Sequence, residues 1–207
     1  MEKKLYILRH GETNENKAGI VQGQGIDSSL NELGLWQSLQ FYNKYKSITF
    51  DKIITSGLRR SYQTLQHFET TENEIQRDTR INEISWGEHE GKAGEPELME
   101  KYYKIINSWK SGDYLQAPIG GESALDLYQR VDHFLKEVSE TNCQTILACT
   151  HGRTLRALVC CILQLPLSEM ENIKQSNTGL YIFELHDQSW KLISENDTSH
   201  LSSNAEI

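Results

Sequence analysis

Three compact apolar runs constrain the fold of this chain more than any other feature: "KLYIL" (4–8), "DKIIT" (51–55) and "TILACT" (145–150). Each is bounded by polar residues, as strands buried on both faces of a parallel sheet are. Between the first two, "SLNELGLWQSLQFYNKYKS" (29–47) carries Ser29 three residues before Glu32. That spacing predicts a capping box, followed by a helix whose apolar face is Leu33, Trp36, Leu39 and either Phe41 or Tyr42. "GLRRSYQTLQHF" (57–68) and "ESALDLYQRVDHFLKEV" (122–138) also read as amphipathic helices. The second aligns Leu127, Tyr128, Val131, Phe134, Leu135 and Val138 on one face. "HGRTLRALVCCIL" (151–163) is a further helix, closed by Pro166. "GLYIFEL" (179–185) and "WKLISE" (190–195) flank the polar turn "HDQS" as a hairpin, and the polar residues from Asn196 onward read as a frayed end.

Strands alternating with helices predict an α/β fold, a three-layer α/β/α sandwich around a mainly parallel sheet. At 207 residues one domain spanning the whole chain suffices. Residues 87–121 break the alternation. Their centre, "ELMEKYYKIINSW" (97–109), reads as a helical insertion that roofs a site. In and beside it, Trp86, Tyr102, Tyr103, Trp109 and Tyr114 are either core or substrate-facing walls.

A formal net charge of −8 argues against a nucleic-acid partner, because phosphate backbones are bound by basic surfaces. Any bound phosphate must meet a local cluster of arginines. Cys143, Cys149, Cys160 and Cys161 lack zinc-site spacings and read as reduced, mostly buried thiols of a cytoplasmic protein. The apolar run after the basic start is too short for a secretion signal, and no stretch reads as a membrane span.

Ligands of open α/β sheets sit beyond the carboxyl ends of the strands. "YILRHGETNEN" (6–16) delivers Arg9 and His10 to such an end, Ser56 to Arg60 follow the second strand, and His151 ends the third. Three distant segments thereby aim arginine and imidazole at one edge.

The motifs "LRHGETNEN", "VQGQGIDSSLNELG", "TSGLRRSYQT", "INEISWGEHEG", "GGES" and "THG" come in this order. Together they resemble the histidine phosphatase superfamily, which includes phosphoglycerate mutase. The resemblance implies that His10 attacks phosphorus to give a phosphohistidine, and that Glu83 protonates the leaving oxygen and then deprotonates water. It also implies that Arg9, Arg60, His151 and Asn16 hold the phosphoryl group without a metal or other cofactor. Gln22, Gly23, Gly152 and Arg153 are the further candidates for substrate contact, and the expected partner is a small phosphorylated molecule. Arg59 reads as a surface residue and Arg60 as the pocket arginine. Glu88, His89 and Glu90 read as a solvated or structural turn, and His67, His133, His186 and His200 as surface or packing residues. Arg153 either reaches a second anionic group at the pocket mouth or faces solvent. A short insertion and a polar tail favour hydrolysis over the rival mutase reaction. The presence of both His10 and Glu83 counts against a third possibility, a phosphate-binding protein without activity.

Overall fold

The computed structural model describes residues 3–202. Strands β1 (Lys3–Arg9), β2 (Lys52–Thr55), β3 (Ile75–Arg77), β4 (Thr145–Thr150), β5 (Leu180–His186) and β6 (Ser189–Asp197) form one sheet in the order β3-β2-β4-β1-β5-β6. The first four run parallel, and β5 and β6 close one edge antiparallel. Alternation along β1 divides the core. Leu5 and Ile7 pack with α5 (Ala124–Glu140) and α6 (Gly152–Leu163), while Tyr6 and Leu8 join Phe41 of α2 (Glu32–Tyr45) and Leu65 of α3 (Arg59–Leu65) on the opposite face. Those are the three expected layers. The predicted face of α5 is buried at Leu127, Val131, Phe134, Leu135 and Val138. A short helix, α1 (Asn14–Ala18), follows β1, and α4 (Pro96–Lys110) is the helix expected in the region after Gly87.

Three expectations need correction. The N-cap of α2 is Asn31, whose side chain accepts from the Gly34 amide at 2.9 Å, and Ser29 lies outside the helix. The helix also turns the other way: Leu33, Trp36 and Leu39 are 45%, 39% and 42% exposed, whereas Gly34, Gln37, Ser38, Phe41 and Tyr45 face inward. The cause is a close backbone approach. A Cβ on Gly34 would collide with the Glu12 carbonyl, and one on Gly11 would stand 2.7 Å from the Gly34 carbonyl. At that separation only small or hydrogen-bonding groups fit, so Ser38 donates to the Thr64 carbonyl at 2.8 Å and Gln37 accepts from the Glu12 amide at 2.9 Å. Thirdly, the segment after Asn196 is docked as far as it is described. β6 continues to Asp197, and the turn Ser199–Leu201 buries His200 against Phe41 and Tyr45, with Nε2 2.9 Å from Thr178 Oγ1. The remainder of the tail lies outside the described residues.

The Gly34 contact gives a prediction in which two effects oppose each other. Helix propensity alone favours Gly34→Ala by about 1 kcal/mol. Forcing a methyl against immobile backbone costs about 1–3 kcal/mol, so the variant is expected to unfold at lower urea concentration with an unchanged m value. A raised midpoint would refute the close approach.

Among the described residues no helix is long and apolar enough to cross a membrane. Cys149, Cys160 and Cys161 are buried free thiols, and Cys143 is half-buried.

Candidate active site

Parallel pairing brings the strand ends level. Arg9 pairs with Thr150 and Thr55 with Cys149, so the next residues, His10, His151 and Ser56, emerge side by side. The His10 amide donates to the Thr150 carbonyl at 2.9 Å, and the two imidazoles lie 5.0 Å apart. Beyond this edge opens a cavity of about 450 Å³ lined by Arg9, His10, Asn16, Gln22, Arg60, Glu83, Gly152 and Arg153, among others.

Hydrogen bonding fixes the tautomers. His10 Nδ1 faces the Gly11 carbonyl at 2.7 Å, and a carbonyl only accepts, so Nδ1 carries the proton. The lone pair is on Nε2, for which no partner appears among the described residues. Burial, then Arg60 and Arg9, lower the His10 pKa well below 6.5 and keep the ring neutral. Arg9 is half-buried: one terminal nitrogen donates to the Gln175 carbonyl at 2.9 Å, while Nε is buried without a partner. Burial pushes its pKa down to about 10, against the pull of Glu83.

Arg60 is the buried member of the pair and Arg59 the exposed one. The Arg60 guanidinium donates to the Ile26 carbonyl at 2.6 Å, the Gly23 carbonyl at 3.3 Å and His151 Nδ1 at 3.1 Å. His151 therefore carries its proton on Nε2, which donates to Ser56 Oγ at 2.7 Å. Both ring nitrogens are thus engaged within the protein, and the ring stands 5.0 Å from that of His10. It fixes the orientation of Arg60. Gly23 does not line the cavity: its carbonyl braces Arg60, and Glu90 packs where its Cβ would be.

The Glu83 carboxylate is buried at the N-terminus of α6. Oε1 accepts from the amides of Ile84 at 3.0 Å and Thr154 at 3.1 Å and lies 3.1 Å from the Thr154 hydroxyl, while Oε2 accepts from the Arg153 amide at 3.1 Å. Arg130 steadies the same segment by donating to the Asn82 and Glu83 carbonyls at 2.8 and 3.2 Å. Glu88 and Glu90 do not line the cavity; Glu90 accepts from the Trp86 amide at 2.9 Å. The Asn16 side-chain Oδ1 accepts from the Thr13 amide and from Asn177 Nδ2, each at 3.3 Å. Gln22 is held at both ends, donating to Thr13 Oγ1 at 2.7 Å and accepting from Ser28 Oγ at 2.5 Å.

One face of α4 covers the opening with Tyr102, Tyr103, Ile106, Asn107 and Lys110. Trp86 also lines the cavity, whereas Trp109 is core and Tyr114 lends its hydroxyl to the Ser168 amide at 3.3 Å. Arg153 is buried, contrary to its solvent-facing alternative: its guanidinium lies 5.6 Å from the Trp86 and Trp109 rings and pairs with Glu171. Sequence reasoning missed Lys110, Arg156, Glu171 and Gln175. Arg156, one turn beyond Arg153 on the helix after "THG", was the member of this set with a local signal.

Residues 5–198 match the histidine phosphatase superfamily (branch 1). Phosphoserine phosphatase 1 of Hydrogenobacter thermophilus is 30% identical over 96% of this chain and 94% of its own length. The metal-independent phosphoserine phosphatase of Arabidopsis thaliana is 29% identical, over 97% and 84%. The structure of phosphoserine phosphatase from Entamoeba histolytica, in complex with 3-phosphoglyceric acid, is 26% identical and superposes with a TM-score of 0.83 over 96% of this chain and 99% of that one. With the family matched from β1 through the end of β6, over an edge where Arg9 and Arg60 flank a neutral histidine, this chain belongs to branch 1 of the histidine phosphatase superfamily.

Proposed function

We propose that this chain is a metal-independent phosphomonoesterase acting on a small phosphorylated molecule through phosphorylated His10. One observation carries the reading: a neutral imidazole with one free lone pair shares its cavity with the half-buried Arg9, whose Nε has no partner. A phosphomonoester dianion satisfies that donor and presents phosphorus to Nε2.

In the first step the Nε2–P bond forms as the P–O bond to the leaving group breaks, and Glu83 supplies the proton that the departing oxygen needs. In the second, water attacks phosphorus, the N–P bond breaks, and the water proton returns to Glu83. Arg9 and Arg60 balance the phosphoryl charge throughout, Asn16 and Gln22 border it, and His151 with Ser56 holds Arg60 in place. The relatives' names as phosphoserine phosphatases support hydrolysis of this kind.

Incubation with phosphorus-labelled substrate, followed by a denaturing alkaline quench, is expected to leave acid-labile label on the protein, with turnover unaffected by EDTA. A protein that turns substrate over with no label after a millisecond quench, or that needs a divalent ion restored after chelation, contradicts the reading.

A further inference from the structure

Cations extend past the phosphoryl position. Among the described residues, five cationic side chains line the cavity (Arg9, Arg60, Lys110, Arg153 and Arg156) against two carboxylates, Glu83 and Glu171, in a protein of net charge −8. Arg9 and Arg60 belong to the phosphoryl end. The remaining three converge on Glu171 alone: Arg153 pairs with one of its oxygens, Arg156 with the other at 3.1 Å, and Lys110 acts on it electrostatically from the end of α4. The cluster adjoins the reacting end, because the Arg153 amide is held by Glu83 and Gly152 lies between Arg153 and Arg9.

Arg153 is positioned at some cost. It is 6% exposed, wedged against two indoles, and its second terminal nitrogen donates to the Tyr102 hydroxyl at 3.1 Å. A surface ion pair needs none of this support. One carboxylate neutralises one of three cations, and a phosphomonoester bound at Arg9 and Arg60 leaves the excess in place.

We propose that Arg153, Lys110 and Arg156, braced by Glu171, form a subsite for a second anionic group on the leaving portion of the substrate. The preferred substrates are then phosphate esters of hydroxy or amino acids, or bisphosphates, over esters of neutral or cationic alcohols. The inference rests on the phosphatase reading for its substrate, and its test separates the two.

Matched pairs isolate the second charge: O-phosphoserine against phosphoethanolamine, 3-phosphoglycerate against glycerol 3-phosphate, and fructose 1,6-bisphosphate against fructose 6-phosphate. Binding is measured by calorimetry on His10→Ala protein, and kcat/KM on the native enzyme. The anionic member of the carboxylate pairs, the phosphate pair, or both is expected to win by about tenfold or more in both measurements. Which pairs respond distinguishes a carboxylate from a second phosphate. The ratio should fall towards one in Arg153→Gln and in Lys110→Ala, the latter removing an exposed side chain whose loss does not threaten folding. Equal binding within every pair, or an undiminished ratio in the folded variants, overturns the subsite and leaves the phosphatase reading intact. Preferential binding without phosphate release from any ester overturns the phosphatase reading and leaves the subsite.

Discussion

His10→Ala protein is expected to fold and to release phosphate at no more than about a thousandth of the native rate. The bonds that shape this stretch survive the change, because they are made to main chain: His10 N–H to the Thr150 carbonyl at 2.9 Å, and Asn177 Nδ2 to the His10 carbonyl at 3.0 Å. What disappears is the lone pair. The surrounding cations still bind phosphate, so the substrate should remain bound and unreacted. A folded variant retaining a tenth of the native turnover would exclude His10 as nucleophile. The same imidazole sets the acid limit of the wild type. Protonation blocks Nε2, so activity is lost as pH falls through the His10 pKa; burial, Arg60 and Arg9 place that pKa well below 6.5. After allowance for substrate ionisation, kcat/KM should hold as pH drops past 6.5. A limb at or above that value would show that burial does not tune the ring.

The second large effect separates the acid from the nucleophile. In Glu83→Gln, formation of phosphohistidine from an alkyl phosphate is expected to fall by about a hundredfold or more, and far less from p-nitrophenyl phosphate, whose leaving oxygen departs without a proton. Single-turnover rates are needed, since Glu83 also serves the water step. Glutamine is not a neutral replacement here. Its NH₂ must stand where Oε2 accepts from the Arg153 amide or where Oε1 meets the Ile84 and Thr154 amides, setting donor against donor. A stability loss of about 1–3 kcal/mol should accompany the kinetic change, and thermal unfolding measures it separately. Equal losses for both esters would make Glu83 a structural anchor of α6, leaving Glu171 as the other carboxylate lining the cavity.

What could be read from the sequence follows from how locally each feature is encoded. β1 and β4 are covered on both faces, so residues 5–8 and 146–149 are unbroken apolar runs that stand out. β3 has three residues, of which only Ile75 is buried; no periodicity survives at that length, and it was missed. The inward face of α2 is set by how near another backbone passes, and Gly34 opposite Gly11 reverses what hydrophobicity alone suggests. Arg9, His10 and Arg60 were recognisable because they lie in contiguous motifs at or just after strand ends, and Glu83 because its motif resembles the family's. The Arg153 cluster was not, since Lys110 and Glu171 belong to segments that only the folded chain brings together. His151 stands at the end of β4, where its motif places it, but the hydrogen bond it accepts from Arg60 is visible only in the folded chain.

The opposite tautomers of the two histidines also have a stereochemical consequence. His10 offers Nε2, whereas the His151 lone pair is taken by Arg60 and its other nitrogen carries a proton held by Ser56. Although the rings are 5.0 Å apart, only His10 has a nitrogen lone pair without a partner, and the proposed reaction has a single relay point. In the proposed reaction two in-line displacements, each inverting phosphorus, release thiophosphate from an isotopically chiral thiophosphate ester with overall retention of configuration. Direct attack by water would invert it. The handedness of the product thus records which way the imidazole protons point.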